Sequence, residues 1–307
     1  MYSSNPLSQT RPHSPVDPQA RTKPIRIAKS SSRRVLRSSC LLTFAGLGTL
    51  LLFVLIYLLA PLRTNILILG IDRPPEGTDL SRTDTIILTT VIPLKPYVGM
   101  LSIPRDLWVN VPNVGENRIN TAHFYAENAQ TGSGPYAAME TVRQNFGVDV
   151  NYYGRIRFDS VQQLADAMGG VEIILDTPMS GYPAGTHRLN GEQSLAFVRD
   201  RQGSDDFFRM SRGQLFLKAF GKQIISPRSW NKIPEVAIVL MDSIDTNVPP
   251  WLWPRLGVAF LRAGPEGIDS QVISREMVTP FTTSGGAQVL APNWDRINLL
   301  LMEMFGQ

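Results

Sequence analysis

NILILGID at residues 65–72 and TDTIILTTVI at residues 83–92 are runs rich in apolar and β-branched residues. Runs of this length and composition are typical of buried β-strands. VGMLSIP at residues 98–104 has the same character and leads into a polar loop. The three runs therefore predict three consecutive strands.

Helical patterns alternate with a further strand-like segment beyond this point. The helical segments are 136–146, 160–168, 191–198, 210–225 and 294–305, and 171–175 has the pattern of a strand. Asp159 is a candidate N-cap of the second helix, which Gly169-Gly170 ends. This alternation predicts an α/β (α+β) fold in which helices cover both faces of a mixed central β-sheet.

The first 62 residues differ in composition from the rest of the chain. Residues 1–37 are rich in serine, proline and basic residues, which predicts a disordered tail. Residues 40–62 carry no charge over 23 positions, a length that suits a membrane-spanning helix. Three arginines between residues 33 and 37 precede it, so the positive-inside rule predicts a cytoplasmic N-terminus. A cleaved signal peptide is the alternative, although its apolar region is usually only about 7–15 residues long.

The chain is therefore predicted to have four parts. They are a disordered basic cytoplasmic tail (1–37), a single transmembrane anchor helix (38–62), a catalytic core (63–225) and a C-terminal part of the same extracytoplasmic region (226–307). This topology predicts a protein of the cytoplasmic membrane whose folded domain lies on the periplasmic or cell-wall side.

Charge and composition exclude several functions. The chain has 30 basic and 26 acidic residues, of which the tail holds eight basic residues and one acidic residue. The remainder therefore has 22 basic and 25 acidic residues, a net charge of −3. A domain of that charge is not expected to bind nucleic acid. The single cysteine, Cys40, gives the folded domain no disulfide, and the three histidines lack the spacing of a zinc site.

Charged residues follow or precede the predicted strands. Asp72 ends the first strand, Arg82 and Asp84 open the second, and Arg105 and Asp106 follow the third. If the strands are neighbours, these side chains converge at one edge of the sheet. Carboxylates at such a place suit Mg²⁺, and arginine forks suit phosphate. The alternative for each pair is a local salt bridge or a turn.

A second group of arginines lies later in the chain. Arg199, Arg201, Arg209 and Arg212 fall within fourteen residues, and Arg118 is one more candidate. Like charges held this closely repel each other unless an anion lies between them. The pattern therefore favours an anion site over a solvated basic helix face.

Seven stretches of the sequence occur together in a fixed order. They are NILILGID, SRTDTIIL, GMLSIPRDLWV, NRINTAH, FDS with GGVE, LNGEQSLAFVRDR and DDFFRMSRGQ, spread over residues 64–225. In these stretches the chain resembles the LytR-CpsA-Psr family of cell-wall glycopolymer ligases. The resemblance implies a phosphotransferase that takes a glycan from a polyprenyl-pyrophosphate carrier. The acceptor would be peptidoglycan or another envelope component, and the cofactor Mg²⁺.

The resemblance also implies roles for individual residues. Asp72 and Asp84 would hold Mg²⁺. The phosphate oxygens would be bound by Arg82, Arg105, Arg199 and Arg201, with Arg118, Arg209, Arg212 and Gln214 around them. Asp106 would either orient Arg105 or act as the base, so that Arg105, Asp106, Arg199 and Arg201 form the catalytic set. The family often has two glutamines where this chain has Gly213-Gln214, which leaves the role of Gln214 open.

Alternatives to a ligase remain at this level. The same site could hydrolyse a polyprenyl pyrophosphate, or bind polyprenyl phosphate without catalysis. Aliphatic residues of 160–175 and 215–225 could line a slot for the lipid tail or belong to the core. The label of transcriptional attenuator, which some family members carry, conflicts with the predicted topology and the acidic domain.

Overall fold

The computed structural model describes residues 32–72, 74–200, 206–264 and 267–306, the side chains of 32–42 and 206 excepted. The chain divides into two compact units, Met1–Leu51 and Leu52–Gln307. Helix α1 (Ser32–Leu59) has exposed side chains from residue 43 to residue 57. Within the described ranges, no helix has the length and apolarity needed to cross a membrane. The transmembrane helix predicted at 38–62 is therefore not confirmed, and most of the predicted tail lies outside the described residues.

Six strands form a mixed central sheet in the order β10-β3-β2-β1-β6-β9. The strands are β1 (Thr64–Ile71), β2 (Thr83–Ile92), β3 (Tyr97–Ser102), β4 (Trp108–Val111), β5 (Gly115–Arg118), β6 (Tyr152–Arg157), β7 (Val171–Leu175), β8 (Gly185–Leu189), β9 (Ile244–Thr246), β10 (Ile268–Val272), β11 (Val278–Thr282) and β12 (Gln288–Pro292). β1 runs antiparallel to β2 and parallel to β6. The mixed sheet predicted from the sequence is confirmed, and its first three strands are neighbours.

Helices pack on both faces of this sheet. Beyond α1, they are α2 (Thr121–Ala129), α3 (Gly134–Phe146), α4 (Asp159–Ala167), α5 (Gly191–Arg199), α6 (Asp206–Ile225), α7 (Ile233–Ser243), α8 (Trp253–Ala263) and α9 (Trp294–Phe305), with 3-10 turns at Pro227–Lys232, Pro250–Leu252 and Arg275–Met277. Successive side chains of a strand point to opposite faces. Ile86 and Leu88 of β2 accordingly lie in a cluster with α3 and α9, whereas Ile87 packs against α8.

The strand predicted at 171–175 is confirmed, whereas the N-cap predicted at Asp159 is wrong. Val171–Leu175 does form a strand, but it pairs with β8 in a separate two-stranded sheet. Asp159 is the first residue of α4 and not its N-cap, a position that Phe158 occupies. Phe158 N–H donates to Ile71 O (3.0 Å), so the residue still continues the β1–β6 ladder. The Asp159 carboxylate instead accepts a bond from Arg199 (2.9 Å).

The C-terminal region completes the central sheet. Its strands β9 and β10 occupy the two edges of the sheet, next to β6 and β3. Residues 226–290 gave no clear pattern in the sequence, because these strands are short and their pairing depends on distant partners. The region is therefore part of the same folded body as β1–β3.

Candidate active site

Strand topology brings three chain segments to one edge of the sheet. β1 and β3 both run antiparallel to β2, so they end where β2 begins. Asp72 follows β1, Asp84 lies at the start of β2, and Arg105 lies in the turn after β3. The carboxylates and guanidinium groups singled out in the sequence thus share this edge.

A β-bulge places Asp84. Gly70 pairs with Thr85 and Ile71 pairs with Thr83, which leaves Asp84 as the extra residue of β2. Bulges bend a strand and re-aim a side chain, and they are frequent beside active sites. Asp84 is consequently free of the ladder and faces the arginines, with its side chain 16% exposed.

Asp84 contacts arginines from two different elements. Arg105 Nη1 donates to Asp84 Oδ1 at 2.5 Å. Arg209 of α6 is buried, and its Nη2 donates to the Asp84 carbonyl at 3.3 Å and lies 3.9 Å from Oδ1. The later arginine segment therefore reaches the early strand end.

Asp106 bridges Arg105 and a further arginine, Arg118. Its Oδ2 lies 3.5 Å from Arg105 Nε, and its Oδ1 lies 3.2 Å from Arg118 Nε. Arg118 Nη2 also donates to Gln288 O at 2.8 Å. Both oxygens of Asp106 are thus engaged in holding arginines.

Asp72 meets Arg199, the last residue of α5. Arg199 Nη2 binds Asp72 Oδ1 and, at 2.9 Å, Asp159 Oδ1. A cation at a helix C-terminus is favoured by the helix dipole. Arg199 Nε is buried without a hydrogen-bond partner among the described residues. Arg201, predicted beside it, lies outside the described residues.

Arg212 and Gln214 support the backbone around this edge. Arg212 is 2% exposed, donates to Asp200 O through Nη2 and lies 4.0 Å from the Asp200 carboxylate. Burial lowers the pKa of Arg212 from its ordinary value, while nearby Asp200 raises it. Gln214 Nε2 donates to Ser102 Oγ (2.9 Å) and Gln271 O (2.5 Å), which ties α6 to β3 and β10.

A polar cavity of about 430 Å³ opens at the same edge. It is lined by Ser81, Arg82, Asp84, Arg105, Asp106, Arg118, Asn120 and Phe124. Arg82 lies over the Phe124 ring, 6.0 Å from its centroid. Five of the predicted residues thus line this cavity. Among the predicted residues that the structure describes, the ones that do not line it are Asp72, Arg199, Arg209, Arg212 and Gln214.

The segments considered for a lipid slot contribute mainly to the core, whereas Ile174 is exposed and Leu215 lines a second cavity. Leu164 and Ile173 from the first segment and Phe216 and Phe220 from the second belong to one buried hydrophobic cluster. Burial of that kind accounts for the apolar character of these four residues through packing alone.

A buried charge network that was not predicted from the sequence lies behind the cavity. Arg155 of β6 is 6% exposed and contacts Asp79 (2.7 Å), Glu127 (3.3 Å) and Asp245 (2.8 Å). Arg157 also binds Asp79, at 2.7 Å. An arginine at an inward position of a strand was the available signal, since β6 alternates buried and less buried residues.

His123 connects this network to the cavity wall. It is fully buried, with Nδ1 2.8 Å from Ser81 O and Nε2 3.2 Å from Arg155 Nη1. Because a guanidinium can only donate, Nε2 accepts and the proton is assigned to Nδ1, which donates to Ser81. Ser81 lines the cavity and its Oγ donates to Asp72 O at 3.1 Å. The network therefore fixes the loop between β1 and β2.

Stability should depend on pH through His123. Burial, and then Arg155, lower its pKa from the ordinary value, although Ser81, Glu127 and Asp79 oppose this. The unfolded chain then binds the proton more readily, so we expect the free energy of unfolding to fall as pH decreases below about 6.5, by at most about 1.4 kcal/mol per pH unit. Urea unfolding at several pH values measures this, and His123→Asn should flatten the profile. His187→Asn, on the β8 hairpin, is the control; an equal profile for wild type and His123→Asn contradicts the assignment.

One edge of the mixed sheet thus gathers carboxylates and arginines around a polar cavity, an arrangement that suits an anionic ligand. The chain belongs to the LytR_cpsA_psr family, which it matches over residues 61–300. The match confirms the resemblance that the seven stretches indicated. It also extends that resemblance through most of the C-terminal region.

Relatives and solved structures agree with this assignment. Regulatory protein MsrR from Staphylococcus aureus is 28% identical over 239 residues, 74% of this chain and 70% of that protein. The polyisoprenyl-teichoic acid–peptidoglycan teichoic acid transferase TagU from Oceanobacillus iheyensis is 33% identical over 190 residues, 60% of this chain and 58% of that protein. Two relatives, from Oceanobacillus iheyensis and Enterococcus faecalis, are named as teichoic acid transferases, whereas MsrR is named a regulatory protein.

Two solved structures share the fold. The crystal structure of TagV from B. subtilis has a TM-score of 0.65 at 23% identity, covering 80% of this chain and 98% of that one. TagT bound to LIIa-WTA has a TM-score of 0.64 at 22% identity, covering 80% of this chain and 90% of that one. The architecture described above is therefore that of known members of the family.

Proposed function

We propose that this enzyme transfers a glycan polymer from a polyprenyl-pyrophosphate carrier to an envelope acceptor, peptidoglycan in the first instance. The observation that carries the proposal is the cavity at the sheet edge, where Arg82, Arg105 and Arg118 stand beside Asp84 and Asp106. Arginine binds phosphate oxygens bidentately and stays charged. The names of the TagU relatives, teichoic acid transferases that act on peptidoglycan, support the same reaction class.

The proposed step is a phosphoryl substitution. An acceptor hydroxyl forms a bond to the phosphorus that bears the glycan, and the bond from that phosphorus to the bridging oxygen breaks. Polyprenyl phosphate leaves with the electron pair, and the hydroxyl proton passes to a base. Such reactions need positioning and charge neutralisation more than covalent help from the protein. Arg105, held between Asp84 and Asp106, is oriented for that task.

Asp106 is proposed to orient the arginines. The sequence left it as either an orienting residue or the base. Its two oxygens lie 3.5 Å from Arg105 Nε and 3.2 Å from Arg118 Nε, so its contacts go to guanidinium groups. This arrangement supports the orienting role, with the base to be sought among other groups near the acceptor hydroxyl.

The carboxylates of Asp72 and Asp84 are suitable oxygen ligands for Mg²⁺. They lie beside each other at the β1–β2 edge. Each carboxylate binds a guanidinium group, so a metal ion would have to share the carboxylate with that arginine. In the part of the chain that the structure describes, no group of three or more potential ligand residues suits a metal. Mg²⁺ commonly takes only one or two carboxylates and completes its shell with phosphate oxygens and water. Bound there, it would neutralise phosphate charge.

Purified protein with a lipid-linked glycan donor and an acceptor glycan tests the proposal. We expect glycan to appear on the acceptor together with one equivalent of polyprenyl phosphate. Chelation with EDTA should abolish transfer, and added Mg²⁺ should restore it. Release of polyprenyl phosphate without acceptor labelling would identify a hydrolase instead. Transfer that resists EDTA would remove the metal role alone.

We also propose that the chain is anchored in the cytoplasmic membrane with the folded domain outside. The support is the uncharged stretch 40–62 and the arginines that precede it. Externally added protease should cleave the folded domain in intact spheroplasts, and carbonate washing should leave the chain in the membrane fraction. Recovery in the carbonate supernatant would contradict the anchor.

A further inference from the structure

A second cavity, of about 680 Å³, lies between α6, the β7–β8 hairpin and the turn Pro227–Lys232. It shares no lining residue with the cavity at the sheet edge. Nothing in the phosphotransfer site uses it. We call it the α6 groove, after the helix that supplies the largest part of its wall.

The α6 groove is strongly basic. Its lining has two carboxylates, Glu172 and Asp176, against five basic residues, which are Arg188, Lys218, Lys222, Arg228 and Lys232. The lining thus carries a net charge of +3, whereas residues 38–307 as a whole carry −3. Cations gathered in a concave site raise the local potential more than cations on an open face, because the low-dielectric walls focus the field.

The floor of the groove is built by fixed hydrogen bonds. Arg188 donates to Gly169 O through Nε (3.1 Å) and Nη2 (2.7 Å). Gln223 Nε2 donates to Gly170 O at 2.8 Å, and its Oε1 accepts from Glu172 N–H at 3.1 Å. Gly170 has φ +96, and a Cβ there would come 3.2 Å from Arg188 Nε. The glycine therefore permits the close approach of the guanidinium.

Two lysines of α6 face this floor. Lys218 and Lys222 are one helical turn apart and make no ion pair with any described residue. Like charges at this spacing repel each other in an isolated helix. The same face includes Leu215 and Gln223, about 12 Å apart along the helix axis, and the groove continues past the helix end to Ser226. A single phosphate would occupy only part of that length.

Helix α6 links the two cavities. Its first turn carries Arg209, which contacts Asp84 at the sheet edge, and Lys218 lies nine residues further on, about 14 Å along the axis. At 100° per residue Lys218 lies on the opposite side of α6 from Arg209, so a chain held by its pyrophosphate at the sheet edge would reach the groove by passing around the helix as well as along it. From the groove's charge, its length and this position, we infer that the α6 groove binds a phosphate-bearing segment of the polymer being transferred. The inference rests on the proposed function.

Binding of inorganic polyphosphate, measured by calorimetry at several salt concentrations, tests the groove directly. We expect Lys218→Gln/Lys222→Gln to weaken polyphosphate binding about tenfold and to reduce the log–log salt slope by about 2, with pyrophosphate binding unchanged. Lys95→Gln, in the turn between β2 and β3, is the matched control and should bind like the wild type. Equal polyphosphate affinity of the double variant and the wild type would overturn the inference.

Two further experiments ask whether the bound phosphate belongs to the polymer or to a lipid surface, and distinguish failure of this inference from failure of the proposed function. With a phosphate-rich donor the double variant should raise KM about tenfold at unchanged kcat, and a neutral glycan donor should show no change. Absence of transfer by the wild type would defeat the proposed function, while the polyphosphate result would still stand. If the double variant loses binding to phosphatidylglycerol vesicles but still binds polyphosphate like the wild type, the groove binds a lipid surface and the inference is overturned.

Discussion

Arg105→Ala is expected to lower kcat for glycan transfer by about 10²–10³-fold while the domain stays folded. Arg105 lines the cavity between Asp84 and Asp106, so its loss removes the donor that meets charge developing on the leaving phosphate. Its side chain is 26% exposed, which makes a large loss of stability unexpected. Steady-state transfer rates and urea unfolding measure the two effects separately.

Two further variants serve as comparisons for Arg105→Ala. Arg105→Lys keeps the charge but loses the fork that binds Asp84, and should fall between the wild type and alanine. Arg296→Ala removes a side chain that is 56% exposed on α9 and should leave transfer unchanged. Transfer by Arg105→Ala within a factor of two of the wild type would show that the cavity is not the site of chemistry.

Arg155→Met should destabilise the domain by about 3–5 kcal/mol. Removing the guanidinium leaves the Glu127 carboxylate, only 2% exposed, without its cation, and Asp79 loses one of two arginines. The cost comes from the uncompensated buried charge more than from the contacts themselves. The free energy of unfolding in urea is the quantity to compare.

Arg157→Met is a close control for this experiment. Arg157 lies two residues along the same strand and binds the same Asp79, but it is 47% exposed, so its removal should cost at most about 1 kcal/mol. In an Arg155→Met background, Glu127→Gln should recover part of the loss by removing the orphaned charge. Similar losses for Arg155→Met and Arg157→Met would contradict the account of the network.

The strands at the sheet edge could be predicted because their signal is local. Period and β-branched composition locate β1 and β2, and the polar residues that follow them need only the antiparallel pairing to converge. Arg155 could not be placed in this way. Its partners Asp79 and Asp245 are far along the chain in opposite directions, and only the folded sheet brings them together.

Two other residues have partners that the sequence could not indicate. The role of Gln214 was left open by the sequence, and its amide bonds Ser102 and Gln271, which are far away along the chain. Asp159 had the right residue type and position for an N-cap, yet its carboxylate is taken by Arg199. For Asp159 a distant partner competes successfully with the local preference.

The direction of β1 has a consequence for how far the enzyme can reach. Thr64 opens the strand and Ile71 ends it next to the cavity, and eight residues of extended chain cover about 26 Å. The diphosphate of a carrier bound at the cavity would therefore lie about this distance from the point where the chain enters the domain. If the proposed function and the proposed anchor both hold, the isoprenoid of a membrane-bound carrier would have to span that distance, so we expect carriers with short tails to be poorer donors than long-tailed carriers with identical head groups.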